Sequence, residues 1–171
     1  LNINPVSAAD MRSYDVIVTS GNCSKTSTPA NLTVQPNPSA SAGGPYSTCR
    51  IGSVLLNGSA SNASSVAWST PNGTGTFTNG NTVGAIYNPT AADLAAGTVT
   101  LVLTADAVAP CAVAASSLTK LTLQSNPTAD AGGPYSTCLT APVSLNGSAS
   151  RNSGVSWSTN DGTGTFTNGN T

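Results

Sequence analysis

One 45-residue segment occurs twice in this chain without a gap. Residues 38–82 align with residues 127–171 at a constant offset of 89, and 32 of the 45 paired positions are identical. Cys49 falls on Cys138, Trp68 on Trp157 and Phe77 on Phe166. Both copies contain "AGGPYSTC", at 42–49 and 131–138, and both close on "TNGNT". Solenoid units are typically about 20 to 50 residues long, so a period of this size predicts an array of whole small domains.

The differences between the copies set the register. In "SVLLNGSAS" and "PVSLNGSAS" the Val and the second Leu persist while the residue between them changes, and "SVAWST" and "GVSWST" behave alike. Residues two apart share one face of a strand, so Val54, Leu56, Val66 and Trp68 are expected to point inward, and Leu55 and Ala67 outward. Trp157 takes the place of Trp68 in the second copy. Further strands are expected in "NTVGAIYN" (81–88), "GTVTLVLTADA" (97–107) and "SLTKLTLQ" (117–124), with one helical turn in "TAADLAAG" (90–97). Asn-Gly pairs at 57–58, 72–73 and 79–80 suit tight hairpins that need positive backbone torsions. About seven short strands in one period predict an all-β chain of tandem antiparallel β-sandwich domains in a linear array.

The outer segments fit the same frame. "NPVSAADMRSYDVIVT" (4–19) resembles "NPTAADLAAGTVTLVLT" (88–104), and "NLTVQPNP" lies 89 residues before "KLTLQSNP". Residues 1–37 therefore read as the C-terminal half of one domain, 38–126 as a complete repeat, and 127–171 as the N-terminal half of the next. Thr171 corresponds to Thr82 and Leu1 to about Ala85, so the two ends nearly mesh. Two arrangements follow: a stretch of a longer tandem array, or a head-to-tail filament whose subunits complete each other with strands.

The surface such a chain presents is polar but almost uncharged. Five Lys and Arg face six Asp, and Glu and His are absent. Without a basic stripe there is no footprint for nucleic acid or for an anionic membrane. No apolar run approaches the roughly 18 residues of a membrane span, and nothing near Leu1 reads as a positively charged signal segment.

Four cysteines without a CxxC pair or a His do not make a zinc site. Cys49 precedes the second strand and Cys111 lies in the loop after "LVLTADAVAP", so a Cys49–Cys111 disulfide is expected within the complete repeat. Closing that loop of about 62 residues would stabilise it by ~4 kcal/mol in the chain-entropy model. Cys23 and Cys138 occupy the equivalent positions in the half domains, with partners outside this chain or, in a filament, with Cys138 bonding Cys23 of the next subunit. Such bonds require an oxidising, extracellular setting.

Catalytic chemistry finds little to work with. The absence of His removes the ordinary nucleophilic triads, Lys25 and Lys120 stand in no Ser–Lys motif, and the scattered Asp residues form no glycosidase pair. No cofactor is expected. Calcium is the one ion left open, because Asp106, Asp130 and Asp161 lie near domain ends, but Asp130 is paired with Ser41 and Asp161 with Asn72 in the other copy. "GTGTF" lacks the Lys and helix of a phosphate loop, so Gly73 and Gly75 are read as a bulge or tight turn. A repeated binding contact at Tyr46 and Tyr135 is the functional alternative to a structural role for "AGGPYSTC".

Two resemblances follow from these residues. "AADMRSYDVIVTSGNCSKTSTPANLTV" resembles the closing strands of an immunoglobulin-like domain, in which Tyr14, four residues after Asp10, would tie down the corner before the penultimate strand. The larger unit, "NPSASAGGPYSTCRIGSVLLNGSASNASSVAWSTPNGTGTF" with "YNPTAADLAAGTVTLVLTADAVAPC", resembles the PKD-like and immunoglobulin-like tandem repeats of giant Bacteroidota cell-surface adhesins, including those linked to gliding motility and type IX secretion. That resemblance implies an extracellular adhesive fibre or stalk at the cell surface. Its partners would be neighbouring repeats or neighbouring copies, with a surface or glycan as ligand. The remaining alternative is a carbohydrate-binding module of a secreted hydrolase, which needs exposed, coplanar aromatics.

Overall fold

A computed structural model describes residues 2–50 and 52–168. Leu1 and Thr171, on which the meshing of the ends rests, lie outside them, as does the end of the second "TNGNT". Residues 2–37 contain a 3-10 turn, Ala8–Asp10, and strands β1 (Ser13–Tyr14), β2 (Ile17–Ser20), β3 (Cys23–Thr26) and β4 (Ala30–Asn31). Nine strands follow up to Gln124: β5 (Ser39–Ser41), β6 (Tyr46–Cys49), β7 (Val54–Leu55), β8 (Ser59–Ser61), β9 (Ala63–Ser69), β10 (Thr76–Thr78), β11 (Ile86–Asn88), β12 (Thr98–Ala107) and β13 (Ala115–Gln124). One helix, α1 (Ala91–Ala96), precedes β12, and β14 (Thr128–Asp130) and β15 (Ser148–Ser150) complete the chain.

The frame is the β12–β13 hairpin, whose strands pair from Thr98↔Thr122 to Ala105↔Ala115. "TVTLVLTADA" forms a strand because its β-branched and apolar residues alternate, which buries Val99, Leu101, Leu103 and Ala105 on one face. β9 flanks β12 antiparallel, and β6 adds to β13 in parallel, giving a curled four-stranded sheet ordered β6-β13-β12-β9. A three-stranded sheet, β10-β11-β7, and the β5–β8 pair are separate ladders. Val54, Leu56 and Tyr87 share one core cluster with Trp68, Leu101, Leu103 and Leu121. The chain is thus mostly β with one short helix, built from this curled sheet and several smaller ones.

Local chemistry sets the bounds of α1. The Thr90 hydroxyl accepts the Asp93 amide and the Asp93 carboxylate accepts the Thr90 amide, a reciprocal cap, while Gly97 ends the helix in the left-handed region at φ 73°. Two sequence expectations are corrected nearby. Within 81–88 regular strand is limited to Ile86–Asn88: the Thr82 amide closes a turn on the Asn79 carbonyl, and between that turn and the strand the Val83 and Ala85 carbonyls accept the Gly58 and Leu56 amides outside a regular ladder. Of the Asn-Gly pairs, only Asn79 takes a positive torsion, at φ 55°. Asn72 instead accepts the Thr100 amide at 2.8 Å through its side chain.

The repeated segment exists here in two environments. In residues 38–82 it pairs with β11, β12 and β13; in residues 127–168 β14 and β15 pair with each other, and Ser156 adds a single bridge. Val54 is 8 % exposed and its counterpart Val143 45 %. Trp68 is buried and Trp157 half-buried. A strand forms where its ladder partner is present.

The chain arrives and leaves at opposite ends of this frame. Asn62 Nδ2 donates to the Asn37 carbonyl at 3.4 Å, beside the β9 end that pairs with Ala107. At the far end of β13, Gln124 is in register with Cys49. Ten residues of extended strand separate the two ends by about 30 Å.

Candidate functional site

"AGGPYSTC" builds a corner. Gly43 and Gly44 have φ of 64° and 79°, a path that side chains with a Cβ rarely adopt, and it returns the chain so that the Tyr46 hydroxyl donates to the Ala42 carbonyl at 2.9 Å. The same oxygen accepts the Asn57 amide at 2.8 Å, which ties the corner to the turn after β7. In the second copy Tyr135 donates to the Ala131 carbonyl at 2.6 Å and accepts the Asn146 amide at 2.7 Å. Tyr14 makes a related corner with the Asp10 carbonyl at 3.0 Å. These hydroxyls are engaged within the chain, which disfavours the alternative of a repeated binding contact.

A polar cluster inside the core is the feature that sequence reasoning missed. Asp93 is buried, and its carboxylate accepts the Thr74 amide at 2.7 Å, the Thr90 amide at 3.0 Å and the Tyr87 hydroxyl at 2.9 Å. Burial by itself would raise its pKa, but the hydrogen bonds from Thr74 and Thr90, then from Tyr87, outweigh it and hold the carboxyl below its ordinary value. Burial, then the bond to the Asp93 carboxylate, pushes Tyr87 up to about 12. The signal for this site is the "AAD" shared by 8–10 and 91–93: Asp10 likewise reaches back to the Ser7 amide at 2.8 Å. Among the described residues no buried side-chain polar atom lacks a partner, and the cluster braces the fold.

The cysteines lie at the two ends of the frame. All four are free. Cys49 stands opposite Gln124, whereas the Cys111 thiol donates to the Gln35 carbonyl at 3.3 Å, beyond the other end of β13. A disulfide requires Cα atoms within about 7 Å, so the expected Cys49–Cys111 bond is excluded by the length of the strand between them.

Other candidates resolve in the same geometric terms. Trp68 packs in the core with its Nε1 donating to the Thr82 carbonyl at 3.0 Å. A cavity of about 690 Å3 is lined by Val143, Leu145, Trp157 and Phe166, the counterparts of Val54, Leu56, Trp68 and Phe77. Those counterparts are core residues in the first copy of the segment. Among the described residues no group of three or more Cys, Asp or Glu side chains gathers to hold a metal ion, and no helix is long and apolar enough to cross a membrane. No protein-family model and no curated protein matches the chain. At the two ends of the frame Gln35 meets Cys111 and Gln124 pairs with Cys49.

Proposed function

We propose that this chain is a stretch of an extracellular, stalk-like adhesive fibre made of tandem β-sandwich repeats of the PKD-like and immunoglobulin-like kind. Its work is extension: each repeat holds the next at a distance, and no catalytic step is assigned to it. The observation that carries this reading is the arrival of the chain at one end of β13 and its departure at the other, about 30 Å away. Repeats joined in that way add their lengths. The linkers "QPNP" and "QSNP" contain proline, which limits their bending, and a nearly uncharged Ser, Thr, Asn and Gly coat suits a surface that meets solvent on all sides.

A second reading is favoured by one observation. Residues 127–168 expose Val143 and Phe166, the counterparts of core residues, while residues 2–37 expose Val16, Ile17 and Val18. The two half-repeats could therefore complete one another between separate copies, as in a head-to-tail filament. Denaturing gels of the native material, run without and then with reductant, separate the two. A polypeptide far heavier than 16.8 kDa that survives reduction supports the tandem array. A ladder that collapses on reduction to that mass overturns the array in favour of the filament, and a single band of that mass under both conditions overturns the array and a disulfide-linked filament alike.

A further inference from the structure

The two linkers, residues 35–38 and 124–127, are sequence counterparts, yet only the first is covered. At the first, the Cys111 thiol donates to the Gln35 carbonyl at 3.3 Å, and the Ser64 hydroxyl donates to the Ala107 carbonyl at 2.9 Å, so the β12–β13 loop lies against the linker and the start of β9. At the second, Gln124, Ser125, Arg151, Asn152 and Ser153 border an open cleft of about 490 Å3. Arg151, Asn152 and Ser153 are the counterparts of Asn62, Ala63 and Ser64. By that correspondence the cleft is where the β12–β13 loop of a following repeat, with the cysteine that it carries, would sit.

Cys49 stands next to Gln124, which borders that cleft. It is in register with Gln124, and the amide of the next residue, Arg50, donates to the Gln124 carbonyl at 2.7 Å. Shifted by one period, the carbonyl that takes the Arg50 amide is the carbonyl that takes the Cys111 thiol. A carbonyl oxygen has two lone pairs and accommodates both donors. A repeat docked on Gln124 as residues 38–126 dock on Gln35 brings its own counterpart of Cys111 to the same oxygen, beside Cys49. Cys49 and Gln124 stand on paired strands, which lie about 4.8 Å apart, so a thiol held at the Gln124 carbonyl comes up beside Cys49, the closeness a disulfide needs.

We propose that Cys49 forms a disulfide with the Cys111 counterpart of the following repeat, and Cys111 with the Cys49 counterpart of the preceding one, so that each junction of the array is covalently stapled. The inference rests on the tandem-array reading. It assigns none of the four cysteines a partner within these 171 residues, in keeping with four free thiols. The bond forms by exchange: the two thiols surrender two protons and two electrons to the disulfide of a thiol–disulfide oxidoreductase, which departs as a dithiol. A staple at every junction keeps the load path closed where the fibre is otherwise held by a short linker.

The test extends the full chain by a copy of residues 83–124 placed after Thr171, which completes the second repeat. The extended chain is oxidised with a glutathione disulfide mixture, alkylated and digested with trypsin without reduction. Cleavage after Lys25, Arg50 and Lys120 leaves Cys49 and Cys111 on different peptides. The expected result is a link between the peptide 26–50 and the peptide carrying the copied cysteine, retained in a Cys111→Ser variant. A link from 26–50 to 51–120, or complete alkylation of Cys49 while the added half resists protease, overturns the staple and leaves the tandem reading standing. An added half that stays protease-sensitive overturns the tandem reading and the staple with it.

Discussion

The Tyr87 hydroxyl donates to the Asp93 carboxylate over 2.9 Å in the core of the complete repeat. The two groups titrate in opposite directions, which makes stability depend on pH at both extremes. Asp93 is held below its ordinary value, so its contribution is whole above about pH 4 and is lost as pH falls through the folded value. Tyr87 is pushed up from 10.0 to about 12, so its contribution is whole below pH 10 and is lost as pH rises toward 12. Urea midpoints measured from pH 2 to 12 are expected to form a plateau with a fall at each end.

Replacing Asp93 separates the charge from the packing. Asp93→Ala removes the acceptor for the Thr74 and Thr90 amides and for the Tyr87 hydroxyl, at an expected cost of about 3 kcal/mol. Asp93→Asn keeps one acceptor oxygen, costs less, and abolishes this residue's part of the acid fall. Chemical denaturation of both variants at pH 7 and pH 3 checks the order.

Tyr46→Phe deletes one hydroxyl that serves both as donor to Ala42 and as acceptor for Asn57. A loss of about 1.5 kcal/mol is expected. Tyr135→Phe, the same change in the second copy, is expected to leave the main unfolding transition where it was, because its half-repeat buries little apolar surface. Thermal melts of the two variants decide it.

Gly75→Ala places a methyl group against the Tyr87 ring and the Asn88 carbonyl. Overpacking of this kind costs about 1–3 kcal/mol. The change is expected to lower stability without altering far-UV dichroism. Gly164→Ala, at the equivalent site of the second copy where nothing stands within 4 Å, is expected to be silent in the same assay.

Much of the complete repeat is legible in the order of its residues. Period-two alternation fixes which side chains face inward: Val54 and Leu56 are buried while Leu55 between them is exposed. The β12 and β13 strands and the capped helix at 91–96 follow from propensity, alternation and two capping side chains. These signals act over two to four residues, and a short peptide already contains them. The Asp93 cluster was not legible because an Asp in "AAD" is ordinarily a solvated helix start; its burial depends on Tyr87 and Thr74 folding over it.

The two copies of one segment show where that local information ends. By itself the sequence determined an 89-residue period, the facing of side chains along each strand and the corners at Tyr46 and Tyr135, which form in both copies with the same partners. Only the tertiary structure decided whether those residues become strands, because β6, β7, β9 and β10 form in the first copy by pairing with β11, β12 and β13. It also decided that Cys49 and Cys111 lie apart. Sequence spacing measures only the loop that a bond would close, whereas an intervening ten-residue strand is rigid and holds its ends about 30 Å from each other.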